Sequence, residues 1–408
     1  MAHGPDPTPA GLREIAAGTR RGVDGFFQVA QSVNGQWWLL DAAGLPRFVR
    51  GINEVRLESA PAENPATPHP AVQLRDWGFN ALGWADDGAL RDDGFAYFAA
   101  VDFCRTEPLI QARGFRLPDV FAPDWPQRAH AYAGVACASL AAATGLIAWL
   151  PDAALAWADA QPNRPGLLQV CLSLEPAFAA YHAAWEFLLA LHGGRLERVA
   201  SAWGLDFTNK ERVREMTRSE LGITSRGYLR DEARWTREFA RRYVTVVVPA
   251  IRAAAPNHLI ASSAFSGGST AAILAALYPA VDLALVSWLH VPPPGEVAGP
   301  VLAIGVSPPA TLEESVRAEI SPRRPARLTT VEMMLRRSRT ALRRVARHPS
   351  VVGWVWQQWR DGVGDRPPFS TGLVHADGGV ARTNVEIALE FNARAENLRR
   401  LAAKQLTP

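Results

Sequence analysis

The chain has 408 residues and a mass of 44.3 kDa, which exceeds one small domain and suits one large barrel with additions. Its hydrophobic fraction of 48% and its charged fraction of 20% are close to globular averages, which excludes wholesale disorder. The net charge is only +3, and the sequence has no run of about 18 apolar residues. The composition therefore predicts neither a membrane-spanning protein nor a nucleic-acid-binding one.

The N-terminal region and the cysteines predict a reduced, soluble, cytoplasmic protein. The first residues lack the apolar core of a signal peptide. The three cysteines, Cys104, Cys137 and Cys171, are too few for a disulfide framework and have no CxxC spacing. Residues 1–25 are rich in Gly, Pro and Arg and predict a flexible arm, and residues 401–408 predict a short tail.

Apolar runs at strand length recur through the rest of the chain. Residues 33–55 predict an N-terminal β-hairpin that turns at Ala43-Gly44 and leads into a more buried strand. Eight buried strands are predicted at 48–55, 79–85, 97–104, 145–151, 258–265, 281–291, 300–306 and 351–359. Helical patterns separate these runs, which indicates a parallel sheet covered by helices. Eight such units predict an α/β fold of the (β/α)8 TIM-barrel type.

The spacing of these units predicts one domain over 26–400. The stretch between the fourth and fifth strands, at about 152–257, is oversized and predicts an elaborated insertion. Within it, Pro176 opens a helix that ends at Gly193-Gly194, and a long amphipathic helix covers 230–255. The arginines of 336–347 alternate with Leu, Ala and Val at helical spacing, which favours a solvated helix face over a nucleic-acid patch.

Polar and aromatic side chains follow several of the predicted strands. In a TIM barrel the functional site lies at the C-terminal ends of the strands. The candidates there are Asn53, Glu54, Trp84, Asp86, Asp152, Trp157, Trp288, His290, Trp356, Gln357, Trp359 and Asp361. Indole faces stack on the apolar faces of pyranose rings, while amides and carboxylates hydrogen-bond to hydroxyl groups. The set therefore predicts a saccharide ligand.

Several of these residues have a structural interpretation of equal weight. Any of the strand-end tryptophans can belong to the core, as we expect for Trp37, Trp185 and Trp203. Glu54 and Asp361 can instead pair with arginines at the barrel mouth. No second His or Cys lies at ligand spacing from the strand-end histidine, so no metal is predicted, and nothing in the sequence calls for a cofactor.

Four segments resemble the β-agarase-type glycoside hydrolases. The segment WWLLDAAGLPRFVRGINEV (37–55) is similar to the opening segment of that family, and LPDVFAPDW (117–125) is similar to a later motif. Residues 258–265 resemble the family's fifth strand, and 351–397 resemble its eighth strand and closing helix. The segments follow the family's order over roughly 36–400. The resemblance implies a TIM barrel of the retaining glycosidase clan.

The same resemblance implies an acid/base glutamate after the fourth strand and a nucleophilic glutamate at the end of the seventh. The family pattern T-D-N-E-L-x-W matches this chain at Asp152, Leu155 and Trp157. However, Ala154 stands at the acid/base position and Val306 at the nucleophile position. Neither a methyl nor an isopropyl group can transfer a proton or attack carbon. We therefore expect both catalytic carboxylates to be missing.

Three functions remain open at this stage. The first is a catalytically impaired homologue that binds an oligo- or polysaccharide, with no nucleic acid or membrane as partner. The second is an active hydrolase with relocated carboxylates, drawn from Asp152, Glu54 and Asp361. The third is a protein-interaction scaffold that uses the Arg-rich stretch 323–347. The sequence leaves the oligomeric state open.

Overall fold

The three-dimensional structure is a computed structural model of the chain. The residues it describes are 15–56, 69–85, 88, 90–112, 115–153, 155, 165–206, 208–219, 221–263, 277–296, 299–307, 331–361 and 371–405.

A small antiparallel sheet opens the fold. It consists of β1 (Gln28–Gln31), β2 (Trp37–Leu40) and β3 (Pro46–Arg47), in that order. The preceding segment is attached to this sheet, because Ile15 bridges to Ser32 and Arg21 bridges to Val29. The expected flexible arm therefore has to be corrected over its described part, 15–25, where backbone hydrogen bonds hold the chain against β1.

Eight parallel strands form the central sheet. The strands after β3 are β4 (Val49–Ile52), β5 (Ala81–Leu82), β6 (Ala96–Val101), β7 (Leu109–Ala112), β8 (Phe115–Pro118), β9 (Leu146–Pro151), β10 (Leu259–Ile260), β11 (Ala284–Ser287), β12 (Val301–Val306) and β13 (Val351–Trp356). Apart from the antiparallel hairpin β7–β8, they pair in the order β10-β9-β6-β5-β4-β13-β12-β11. A parallel bridge between Ala261 and Leu283 joins the two ends. The curled sheet is that of a TIM-like barrel, and each predicted strand overlaps one of these eight.

The barrel interior and the small sheet share one apolar cluster. Phe27, Val29, Trp37 and Leu39 of the small sheet pack with inward residues of the barrel strands, such as Ile147. The antiparallel sheet therefore closes the N-terminal end of the barrel. Strands such as β9 are apolar throughout because both of their faces are covered, one by the interior and one by helices.

Helices cover the outside of the barrel. They are α1 (Pro70–Asp76), α2 (Trp125–Cys137), α3 (Leu167–Leu172), α4 (Ala179–Leu191), α5 (Leu196–Trp203), α6 (Glu211–Arg218), α7 (Arg226–Ala254), α8 (Val331–Arg347) and α9 (Arg382–Gln405). Five of them, α3 to α7, lie between β9 and β10, where the sequence predicts the insertion. The tryptophans that we expect in the core, Trp37, Trp185 and Trp203, are indeed buried. No described helix is both long enough and apolar enough to cross a membrane.

A buried carboxylate holds the insertion together. Glu232 of α7 accepts hydrogen bonds from the backbone N–H groups of Leu167 at 2.7 Å and Leu168 at 2.9 Å, which begin α3. The Tyr228 hydroxyl donates a third bond at 2.6 Å. The N-terminus of a helix favours negative charge and leaves N–H groups unpaired, so this carboxylate acts as a long-range cap. It fixes α3 against the long helix α7, which in turn packs on the barrel.

The Arg-rich stretch contains α8, as its helical spacing predicts. Arg339 pairs with Glu390 of α9 at 2.8 Å, and Arg343 lies 4.0 Å from the same carboxylate. Part of the positive charge on α8 is therefore balanced within the fold.

Candidate functional site

Two acidic residues at the C-terminal edge of the barrel have left-handed backbone conformations. Glu54 follows β4 with φ of 59°, and Asp152 follows β9 with φ of 60°. Among the described residues, no other non-glycine residue has a positive φ. Such conformations cost about 1–3 kcal/mol, and they cluster at functional sites. This edge is also where TIM-barrel enzymes carry their active sites.

Asp152 is buried within a network of hydrogen bonds. Its Oδ1 accepts from the backbone N–H of Cys104 at 2.9 Å, and its Oδ2 accepts from the hydroxyl of Tyr243. Asp102 lies directly after β6 and contributes a carboxyl group within hydrogen-bonding reach of Asp152. The Asp102 side chain is 41% exposed, and it pairs with Arg105 at 3.0 Å. The two acids thus form one pair, with an inner and an outer member.

The environment of Asp152 favours its protonated form. Burial raises the pKa of this carboxyl from 3.8 to about 7, and the neighbouring Asp102 adds to the rise. Hydrogen bonds from Tyr243 and from the Cys104 amide oppose the shift, because they stabilise the carboxylate. Asp152 therefore keeps its proton up to about pH 7, well above the range of an ordinary carboxyl group. A carboxylic acid of this kind can donate a proton at the pH where ordinary carboxylates cannot.

The same cluster has the spacing of a metal site but not its chemistry. One oxygen each of Asp102 and Asp152 and the sulfur of Cys104 lie within 4.8 Å of one another. Metal ligands must be deprotonated. Burial raises the pKa of the Cys104 thiol, and the thiol donates to the carbonyl of Arg116 at 3.1 Å. A protonated thiol beside a protonated acid is a poor donor set, so the cluster fits a proton-holding pair better than a cation site.

Asn53 organises the loop that presents Trp84. Its Oδ1 accepts hydrogen bonds from the backbone N–H groups of Trp84 at 3.1 Å and Ala85 at 3.0 Å. Gly83, which precedes Trp84, lies so close to Asn53 that a Cβ at this position would overlap the Asn53 amide. Asn53 therefore uses its carbonyl oxygen for the loop rather than for a ligand. The indole of Trp84 is left half-buried at the mouth of the barrel.

Three other predicted site residues are exposed at the same edge. Glu54, His290 and Gln357 all have exposed side chains. The Gln357 amide lies over Gly305, which has φ of 73° and interrupts the regular register of β12. These groups leave hydrogen-bonding capacity open to solvent, as a saccharide site requires.

Three of the predicted stacking residues have to be corrected. Trp288, Trp356 and Trp359 are 0%, 2% and 3% exposed. The indole of Trp356 donates to the carbonyl of Thr371 at 3.0 Å, and Trp359 packs against Trp77. All three belong to the core between the strands and the helices. A buried indole offers no face to a sugar, so their role is to pack the barrel.

Asp361 organises a loop instead of facing the barrel mouth. Its Oδ1 accepts from the backbone N–H groups of Thr371 at 3.1 Å and Gly372 at 2.8 Å, and its Oδ2 lies 3.3 Å from Nδ1 of His375. These bonds close the segment after β13. The carboxylate is therefore committed to the loop.

The nucleophile position of the resemblance is apolar and enclosed. Val306 ends β12 with 1% of its surface exposed, and it packs in the same core cluster as Trp288. Three other residues that the sequence singled out, Asp86, Ala154 and Trp157, lie outside the described residues.

Comparison with known proteins gives a clear result for structure and none for sequence. No protein-family model matches the chain, and no curated protein matches it. An exo-β-agarase superposes with a TM-score of 0.65 and 17% identity, covering 96% of this chain and 68% of its own. The protein BpGH50 superposes with a TM-score of 0.66 and 14% identity, and the match covers 98% of this chain and 88% of BpGH50. The agarase AgWH50C superposes with a TM-score of 0.64 and 15% identity, and the match covers 97% of this chain and 68% of the agarase.

The fold is that of the agarase-type glycoside hydrolases. At these identities the likeness establishes the fold, including the barrel and its helical cover, and the chemistry depends on the residues present in this chain. In this agarase-type barrel, the C-terminal edge carries the acid pair Asp102–Asp152, the half-buried Trp84 and several exposed polar groups.

Proposed function

We propose that this agarase-type barrel binds an oligo- or polysaccharide at its C-terminal edge without cleaving it by the two-glutamate mechanism. The observation that carries the proposal is Val306, a buried apolar side chain at the end of β12, where retaining hydrolysis needs a nucleophile. The sequence also has Ala154 at the acid/base position. A barrel without both groups keeps a binding surface and loses the covalent step.

The groups at the mouth support a sugar ligand. Trp84 offers an aromatic face, and the exposed Glu54 and Gln357 offer hydrogen-bonding groups for hydroxyls. Because Asn53 holds the Trp84 loop through two backbone bonds, the aromatic face is positioned before a ligand arrives.

The proposal is tested by binding measurements with agarose-derived and galactan oligosaccharides. Calorimetric titration of the Trp84→Ala variant should show affinity reduced by about 1–2 kcal/mol, the scale of a lost stacking contact. Tyr181→Ala is the control, because Tyr181 is an equally half-buried aromatic residue on α4 of the insertion. Equal affinity of the parent and Trp84→Ala would show that no sugar stacks at this edge.

One observation favours a second candidate function, an active hydrolase with relocated acids. Asp152 keeps a proton up to about pH 7, and it lies beside Asp102 at the end of the neighbouring strand, which suits proton donation to a leaving oxygen. Asp102 is the member open to solvent. The exposed Glu54 is then the candidate for a second carboxylate. Oligosaccharide cleavage that is abolished by Asp102→Asn would establish this function in place of the first.

A further inference from the structure

A cavity lies at the opposite end of the barrel from Asp152. Its volume is about 700 Å³, within the usual range for small-molecule sites. Val49, Ala81 and Ala96 border it, and these are the first residues of β4, β5 and β6. The cavity therefore opens at the N-terminal face, where the small antiparallel sheet meets the barrel.

The floor of this cavity is apolar. Its apolar border residues are Phe27, Leu39, Val49, Phe79 and Ile147, of which Phe27, Leu39, Val49 and Ile147 pack together in one core cluster. Phe27 and Phe79 keep 6% and 4% of their surface exposed at the cavity, whereas Leu39 and Ile147 lie almost fully beneath it. An apolar floor of this kind receives the hydrocarbon or aromatic part of a ligand, because burying apolar surface is favourable.

Two arginines on the rim are held in place by aromatic rings. The guanidinium of Arg75 lies 5.1 Å from the ring centre of Phe95, and that of Arg91 lies 4.7 Å from the ring centre of Tyr97. All four residues border the cavity. Stacking orients a planar guanidinium in advance, so less side-chain entropy is lost when an anion binds to it.

Among the described residues, the charges on the rim include an ion pair and a guanidinium, that of Arg75, without a carboxylate partner. Arg47 pairs with Asp41 at 2.8 Å, so these two groups compensate each other. Arg75 donates to the backbone carbonyl of Asp93 and pairs with no carboxylate in the described part of the chain. Asp92 is the other acid on the border, and it follows Arg91 directly in a short 3-10 turn. The described residues of the rim thus include three arginines and two acids.

We propose that the cavity at the N-terminal face binds a small organic anion, with its apolar or aromatic body on the floor and its carboxylate or sulfonate on Arg75. This site is separate from the saccharide site proposed at the other end of the barrel. It needs neither the sugar-binding residues nor the acid pair.

The probe for this site is 1-anilinonaphthalene-8-sulfonate, which has an aromatic body and one sulfonate and fluoresces in apolar surroundings. Its uncharged relative N-phenyl-1-naphthylamine provides the comparison. Titrated into the full chain, the sulfonate should bind, and Arg75→Gln should weaken it about tenfold, as expected for the loss of a charge-assisted hydrogen bond. The uncharged probe should bind the parent and Arg75→Gln equally.

Two further variants locate the bound probe. Thr144 is exposed on the border of the cavity, so the larger side chain of Thr144→Trp should narrow the cavity and weaken the binding of both probes. Arg237→Gln removes an exposed arginine of α7 that borders none of the cavities described above, and it should bind both probes as the parent does.

The proposal would be overturned by absent binding of the sulfonate, by equal sulfonate affinity in the parent and Arg75→Gln, or by full binding in Thr144→Trp. Arg344 borders a separate groove beside α8. Sulfonate binding that is lost in Arg344→Gln and kept in Arg75→Gln would place the site there and equally overturn the proposal. Oligosaccharide binding by Arg75→Gln should equal that of the parent, so the two proposals can fail separately.

Discussion

The hydroxyl of Tyr243 donates a hydrogen bond to Oδ2 of Asp152, a residue 91 positions earlier in the chain. Tyr243 lies on α7 of the segment between β9 and β10, and Asp152 lies at the C-terminal edge of the barrel. Both side chains are buried. The bond therefore ties the insertion to the edge of the barrel where Asp152 lies.

Removing this hydroxyl should destabilise the protein. Tyr243→Phe leaves a buried carboxyl without one of its donors, which costs about 1–3 kcal/mol in the free energy of unfolding. Urea denaturation measures this loss. Tyr181→Phe is the matched control, because its half-buried hydroxyl makes no hydrogen bond in the described structure, and it should unfold within about 0.5 kcal/mol of the parent. Equal stability of the two variants would argue against the bond.

The stability of the fold should depend on pH through Asp152. Its pKa is about 7 in the folded protein and takes the ordinary value of 3.8 in the unfolded chain, so between these values the folded state keeps a proton that the unfolded state releases. This contribution is complete below about pH 4 and is lost as the pH rises through about 7. Its slope approaches 1.4 kcal/mol per pH unit.

The difference between the parent and Asp152→Asn isolates this dependence. Asp102, Cys104 and Tyr243 are the titratable groups that face Asp152, and they are present in both proteins. The difference in unfolding free energy, measured by urea denaturation, should change steadily from pH 4 to pH 7. A flat difference for Asp152→Asn would contradict the raised pKa.

The loop that carries Trp84 should depend on the side chain of Asn53. Asn53→Ala removes the acceptor of two backbone N–H groups, which should cost about 1–3 kcal/mol of stability and weaken oligosaccharide binding. Asn53→Asp keeps an oxygen in that place and should restore both properties in large part. Thermal unfolding and calorimetric titration measure the two effects. If the aspartate variant behaves like the alanine variant, the acceptor role is wrong.

A buried arginine should be essential for closing the N-terminal end of the barrel. Arg399 of α9 donates to the carbonyls of Trp37, His348 and Val351, and burial lowers its pKa to about 9. Arg399→Met fills similar space and leaves these carbonyls without a donor, so we expect a loss of about 2–5 kcal/mol in urea denaturation. Arg394→Met, which removes an exposed partner of Glu390, should change stability by less than about 1 kcal/mol.

The barrel could be predicted from local patterns because its strands are buried on both faces. The run 351–359, for example, predicts a strand, and β13 occupies Val351–Trp356 with every residue buried. The same property limits what the sequence says about side-chain direction. Trp288 and Trp356 stand at strand ends as Trp84 does, and only the packing of the helices makes them core residues.

Of the two acids in the pair, the sequence predicts Asp152 as a site residue but not Asp102. Asp152 is identifiable because it follows a clear apolar strand. Asp102 was missed because the predicted strand runs to 104, whereas β6 ends at Val101 and a 3-10 turn begins at Phe103. The polar residue after Val101 was the available signal. Tyr243 has no local signal, because its partner is defined by how α7 crosses the barrel and not by its neighbours in sequence.

The most direct test of the central claim is hydrolysis. The purified protein is incubated with agarose-derived, galactan and glucan oligosaccharides, and mass spectrometry detects any shorter products. With Val306 at the end of β12, we expect no cleavage of any substrate, while at least one of the same oligosaccharides raises the melting temperature. Shorter products that disappear in Asp152→Asn or Asp102→Asn would contradict the claim and show a glycosidase with relocated acids.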